Sequence, residues 1–220
     1  MFKLTVSQPN TQIYAAVHQT DKRQIGSPTY FDVGVTFLRE DCGAKKGFTV
    51  VGSAGNAAER QNQVELEGLS IGTYIVVPTS TGCRIELEKE QRIAAGKPIT
   101  EDEFCRDATL TLHSDQPIFV EEISFNQKIY DLALELPVLE HGEKMDLFGD
   151  GSLFLYTLRS GATGTSYVAE NTSDDQAIHL QMDFDGSENI VSENGDLKTD
   201  KIILPGRHLP KYAPKYKTEN

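Results

Sequence analysis

Apolar residues in this chain recur at every second position in short runs, and turns rich in Gly, Asp, Asn and Pro break the runs. In Tyr30 to Leu38 the pattern places Phe31, Val33, Val35 and Phe37 on one face. Successive side chains of an extended strand point to opposite sides, so such a run is a strand with one buried face. A helix would need apolar spacings of three and four. The stretch from Gln12 to Val77 carries the pattern most fully. It opens with an apolar strand ending in Gln19-Thr20-Asp21-Lys22-Arg23, passes a second hydrophobic run, and arrives at Leu69-Ser70-Ile71-Gly72-Thr73-Tyr74-Ile75-Val76-Val77-Pro78. The chain therefore reads as all-β, built of tandem antiparallel β-sandwiches.

Phe2 to Val6 and Thr11 to His18 read as two strands, or as one long strand bent at Pro9. Phe48 to Val51, Gln63 to Leu66, Thr73 to Val77 and Arg84 to Leu87 continue the series, and the small residues from Gly52 to Ala58 read as a surface loop. The Glu86 to Glu103 region is charged and loop-like, with a short helix available over Glu88 to Ala95. Asp107 to Leu112 and Pro117 to Ile123 read as a hairpin that closes a first sandwich near residue 125. Ile129 to Leu139 suits either a strand or a short helix, broken by Pro137. A second β cluster follows at Leu153 to Leu158, Thr165 to Ala169, Ile178 to Phe184, Ile190-Val191 and Lys201 to Leu204. The expected domains are 1–125, a smaller or diverged sandwich over 126–206, and a basic tail over 207–220 containing Pro and Tyr. Leu69-Ser70-Ile71-Gly72 and Leu204-Pro205-Gly206-Arg207 are candidates for matching turns in the two halves.

At 220 residues the chain can bury a core without covalent staples. Its net charge of −12 repels phosphate backbones and argues against general nucleic-acid binding. Cys42, Cys83 and Cys105 cannot all pair with one another, and the first residues do not combine a basic start with an apolar core. No apolar stretch reaches membrane-spanning length. A reduced, cytoplasmic chain is expected, with Asn171-Thr172-Ser173 a chance match to a glycosylation acceptor.

Little in the sequence suggests catalysis. A cysteine could be paired with His18 or His113, but no spacing joins them, and no cysteine pair has metal-ligand spacing. Gly52-Ser53-Ala54-Gly55-Asn56 lacks the Lys and hydroxyl residue of a phosphate loop. Asp183, Asp185 and Glu188 are the candidate calcium ligands, followed by Glu193, Asp196 and Asp200, because carboxylates on loops are the hard oxygen donors calcium takes. Their spacing misses the helix-loop-helix pattern, as does that of Asp146, Asp150 and Gly151, and solvated turns are the simpler reading. Candidate partner contacts are Arg23 and Arg60, Lys45 and Lys46, and Arg207, Lys211, Lys215 and Lys217 in the tail. Lys45-Lys46 could touch an anionic headgroup for about 1 kcal/mol each, too little for membrane attachment against the overall charge. Tyr30, Phe31, Phe37, Phe48 and Tyr74, with Phe154, Tyr156 and Tyr167, read as core.

Residues 1 to about 125 resemble the C2-like β-sandwich of calpains, calpain domain III. The resemblance rests on Ile13-Tyr14-Ala15-Ala16-Val17 leading into Gln19-Thr20-Asp21-Lys22-Arg23, on Tyr30 to Leu38, on the polar stretch through Ser53 and Arg60, and on Gly72-Thr73-Tyr74-Ile75-Val76-Val77-Pro78-Thr79-Ser80-Thr81. Ile71 stands where that family usually has Pro, and Gly82-Cys83 stands where Phe and Pro often follow the Thr. The second half looks like a diverged copy or companion sandwich. The resemblance implies a module that packs against a cysteine-protease core in the family and is linked there to phospholipid and calcium responses. That core is missing from this chain. The expectation is a non-enzymatic protein-interaction or scaffolding module in a larger cytoskeletal or signalling assembly, needing no cofactor unless calcium binds. The alternatives are a calcium-responsive phospholipid- or protein-binding module and a regulatory subunit of a separate calpain-type protease.

Overall fold

The structure is a computed structural model that describes residues 1–20, 30–44, 46–98, 107–159, 165–183 and 198–213. The chain divides into two compact units, Met1–Ser80 with Thr100–Pro137, and Thr81–Ile99 with Val138–Asn220.

The first unit contains β1 (Phe2–Val6), β2 (Thr11–Gln19), β3 (Val33–Glu40), β4 (Phe48–Ala57), β5 (Gln61–Leu69), β6 (Gly72–Thr79), β7 (Ala108–Ser114) and β8 (Ile118–Glu122). They form a five-stranded sheet ordered β4-β3-β6-β1-β8 and a three-stranded sheet ordered β5-β2-β7. Every pairing in them is antiparallel. The alternation read from the sequence sets the core: Leu4, Val6, Val35, Phe37, Tyr74 and Val76 from the larger sheet cluster with Ile13, Ala15, Val17, Leu66 and Leu69 from the smaller. Burying each Val, Leu, Ile or Phe of this set contributes about 1.5–3 kcal/mol. Phe31, Val33, Val35 and Phe37 are all buried, as their spacing predicts.

Two expectations for this unit need correction. Gly52 to Ala58 is not a surface loop, because β4 continues through Ala57. Its small residues answer to crowding: a Cβ on Gly52 would lie 2.2 Å from Leu66 Cδ2 on β5. The strands expected over Asp107 to Ile123 form, but not as a hairpin. β7 pairs with β2 and β8 with β1, so the turn between them carries the chain from one sheet to the other.

The ambiguous Ile129 to Leu139 segment is helical, within a longer helix here labelled α2 (Gln127–His141). Asn126 Oδ1 accepts the Ile129 N–H at 3.3 Å, filling one of the unsatisfied donors at a helix start. Leu132 and Ala133, supported by Ile129 and Leu136, cover Leu38, Ile75 and Val77 on the outer face of the larger sheet. That is why β3 is buried on both faces. Tyr130 fixes the helix to the end of β6, its hydroxyl donating to Ser80 O at 2.7 Å and accepting from Ser80 N at 3.0 Å.

In the second unit the strand expected over Arg84 to Leu87 is replaced by helix α1 (Cys83–Ala94), which absorbs most of the short helix foreseen after it. Gly82, at φ 74°, makes the left-handed turn before it. The helical sequence is rich in Glu, Lys, Gln and Arg, which lose little rotamer freedom in a helix. Glu88 and Arg92 form an ion pair at 3.6 Å one turn apart.

The strands of this unit are β9 (Glu143–Asp146), β10 (Leu153–Arg159), β11 (Thr165–Asn171), β12 (Ile178–Asp183), β13 (Lys198–Ile203) and β14 (His208–Ala213). Four form a sheet ordered β14-β11-β10-β9, and β12 pairs with β13. Leu153 and Ala169 on one face of the four-stranded sheet cluster with Ile203, Ile178 and Leu180 of that pair. Tyr156 and Val168 on its other face cluster with Val138 and Leu139. The second β cluster read from the sequence is present in the described residues, while Phe184 and Ile190-Val191 lie outside them. His208–Ala213, expected within a basic tail, is a sheet strand paired to β11.

Candidate functional site

One connected polar group in the second unit spans three strands. Register places Glu170 of β11 opposite Phe154 of β10 and opposite His208 of β14. The Tyr156 hydroxyl donates to Glu170 Oε2 at 2.8 Å. His208 Nε2 meets Glu170 Oε1 at 2.9 Å. The carboxylate thus engages both neighbouring strands, with the Glu170 side chain 12% and the His208 side chain 5% exposed. Burial, then the hydrogen bond and charge of Glu170, push the Tyr156 hydroxyl up to about 12 from its ordinary 10.0. At neutral pH Tyr156 is a fixed donor, and neither a base nor a nucleophile. Lys144, opposite Tyr156 on β9, lies with Nζ 3.6 Å above the Phe154 ring centroid and 5.4 Å from that of Tyr156. Sequence reading missed this group. The available signal was Glu170 at the same strand parity as Val168, where a buried acid needs a partner.

Nearby carboxylates also hold backbone. Asp146 Oδ1 accepts Phe148 N at 3.2 Å and Gly149 N at 2.8 Å, and its Oδ2 accepts Gly151 N at 2.8 Å. Asp150 Oδ1 accepts the N–H and the hydroxyl of Ser152, which lowers the Asp150 carboxyl below its usual value. These two residues are occupied as turn braces. Asn171 is fully buried, and its amide donates to Gln176 O at 2.7 Å and Ile203 O at 2.8 Å. Its side chain is engaged inside the fold and closed to glycosylation there.

The sequence-predicted residues do not converge on one site. Asp183 ends β12, with Oδ2 3.4 Å from Lys198 Nζ, while Asp185, Glu188, Glu193 and Asp196 lie outside the described residues. Asp200 is held by His179, then by Gln181 at 3.1 Å, and both contacts lower its carboxyl below the usual value. Among the described residues, no group of three or more His, Cys, Asp or Glu is placed to hold a metal ion. Lys46 has its ammonium on the Glu135 carboxylate, which is 8% exposed, and so braces α2. Arg60 is exposed at the β4–β5 turn, where its carbonyl accepts the Gln19 N–H at 2.8 Å. Arg207 is exposed before β14, and Lys211 sits in that strand opposite Tyr167. Arg23, Lys45, Lys215 and Lys217 lie outside the described residues, as do Asp21, Lys22, Cys105 and the Cys83 side chain. Cys42 is exposed in a turn, His18 is half-buried on β2, and His113 on β7 faces the Tyr14 ring at 6.0 Å.

That Tyr14–His113 contact belongs to a shallow groove of about 270 Å³ on the first unit. It is lined by Tyr14, Glu65, Glu67, His113 and Asp115, with Leu66 among its apolar walls. Tyr14 is fixed in it, its hydroxyl donating to Gln63 Oε1 and accepting from Gln61 Nε2 at 2.8 Å. Three acids beside an aromatic ring suit a cationic side chain of a partner better than an anionic ligand.

Gln19 explains why the sequence around the end of β2 is distinctive. Its amide nitrogen donates to Phe31 O at 2.6 Å and Glu59 O at 3.0 Å, and its carbonyl accepts Phe31 N at 3.0 Å. The side chain therefore ties three segments together.

No helix among the described residues is long and apolar enough to cross a membrane. No solved structure matches the chain. The several antiparallel sheets are consistent with a calpain domain III or C2-like architecture. The calpain connection falls on the half opposite to the one that carried the sequence resemblance: residues 137–209, one third of the chain, match the family described as the Calpain-D-like, C-terminal domain.

Proposed function

We propose that this chain is a non-catalytic protein-interaction or scaffolding module, a cytoplasmic component of a larger cytoskeletal or signalling assembly. The match of residues 137–209 to the Calpain-D-like, C-terminal domain is the observation that carries this reading. The side-chain chemistry supports it. Glu170, Asp146, Asn171 and Gln19 each satisfy two or more groups of the fold itself, and a group so engaged holds shape rather than turning over a substrate. What the first unit offers outward is an acidic groove around Tyr14, on a chain whose charge of −12 favours basic partners.

Crosslinking in native extract, followed by mass spectrometry with and without calcium, tests the reading. A constant set of structural proteins is expected. A calcium-dependent set would favour the calcium-responsive alternative, a co-purifying protease would favour the regulatory subunit, and no reproducible neighbours would overturn the proposal.

A further inference from the structure

The five-stranded sheet of the first unit has two unlike ends. At one, β4 has β3 as its hydrogen-bonded neighbour among the described residues, and its Gly52 faces Leu66 of β5 across the core. At the other, β8 has β1 as its hydrogen-bonded neighbour among the described residues and is exposed from Phe119 through Glu122. Phe119 is 65% and Val120 40% exposed, a large apolar surface for an edge.

The backbone of that edge is oriented by its ladder. Ile123 N donates to Met1 O at 3.0 Å, and bonded positions alternate along an antiparallel pair. With Lys3 opposite Glu121 and Thr5 opposite Phe119, residues 119 and 121 turn their N–H and C=O groups toward β1. Ile118, Val120 and Glu122 therefore turn theirs to the open side. Unpaired edges of this kind are templates for an added strand, and charged side chains on them select what can pair.

We propose that β8 receives an extended segment of a basic partner protein as an additional antiparallel strand. The proposal rests on reading the chain as an interaction module and specifies where and with what it interacts. Glu121 and Glu122 fix the chemistry: the segment carries Lys or Arg opposite them and apolar residues opposite Ile118, Phe119 and Val120. Among the described residues Glu121 has a distant, exposed partner in Lys3 at 3.9 Å, a pairing that leaves its charge available. A second copy suits the edge less well. Pairing β8 with itself would gather four glutamates in one ladder and bring together two chains of charge −12 each.

The test uses the full chain and a synthetic peptide, acetyl-Thr-Lys-Lys-Val-Ile-Val-Thr-amide, with a control in which both Lys are Glu. On saturation, amide exchange at Val120 and Glu122 should slow at least tenfold, with Phe119 and Glu121 nearly unchanged. Val120→Pro removes a donor on the open side without touching a β1 hydrogen bond, and it should weaken peptide binding at least tenfold. Glu121→Lys with Glu122→Lys should weaken the Lys peptide and admit the Glu control, which keeps the test decisive if Val120→Pro does not fold. Unslowed exchange at Val120 and Glu122 would overturn the proposal, as would wild-type affinity in the charge-swapped chain. A dimer of the chain alone that Val120→Pro dissolves would overturn it in favour of a second copy. Extract neighbours that survive Val120→Pro would count against the β8 site while leaving the module reading intact. An absence of reproducible neighbours would overturn the module reading whatever the peptide does.

Discussion

The Thr36 hydroxyl on β3 donates to the carbonyl of Ala133 in α2 at 2.9 Å, in a buried setting. Ala133 lies four residues before Pro137, so its carbonyl is the one that a proline nitrogen leaves without a helical donor. The helix runs through its proline because a strand side chain supplies the missing hydrogen bond.

Replacing Thr36 with Val keeps the shape and removes the donor, leaving a buried carbonyl unsatisfied. A loss of about 1–3 kcal/mol is expected in urea unfolding. Pro137→Ala restores a backbone N–H to Ala133, so most of the loss should vanish in the double variant. Two losses that simply add would show that Thr36 and Pro137 are not linked through this carbonyl.

Tyr156 makes stability depend on pH at the alkaline end. Its folded-state value of about 12 lies above its ordinary 10.0, so the folded chain holds this proton more tightly. The stabilisation is complete below pH 10 and is lost as pH rises toward 12. Urea midpoints measured across that window should fall for the wild type, and Tyr156→Phe should flatten the part of the fall that this residue causes.

Asn171 satisfies two carbonyls from within a fully buried position. Asn171→Ala should cost about 1–3 kcal/mol for each group left unsatisfied, a large fraction of the stability of a small β unit. A thermal melt close to that of the wild type would show that these hydrogen bonds are replaced by water.

Calcium at millimolar concentration should leave the melting temperature unchanged. Asp183 already faces Lys198, Asp200 is held by His179 and Gln181, and Asp146 is filled by three loop N–H groups. A rise that disappears when Asp183 and Asp185 are both replaced by Asn would instead establish the calcium-responsive reading.

Sequence alone revealed the features that depend on strand parity. Phe31, Val33, Val35 and Phe37 are inward because their spacing admits one arrangement against a core. The Gly52 region misleads because small residues serve both flexible loops and crowded strands, and only the distance to Leu66 separates the two. Pro137 misleads in the same way, since its usual effect is cancelled by Thr36, 97 residues from Ala133 in the chain. The Tyr156–Glu170–His208 group is invisible for a related reason. Glu170 and His208 are 38 residues apart, and nothing local reveals that β14 lies beside β11.

The acidic end of β8 also bears on what assemblies the chain can enter. Wherever two copies meet through this strand, Glu121 and Glu122 of each set like charges side by side. Growth of the chain upon itself through this edge is opposed. The two carboxylates that admit a basic strand therefore also guard the edge against fibres of the chain alone.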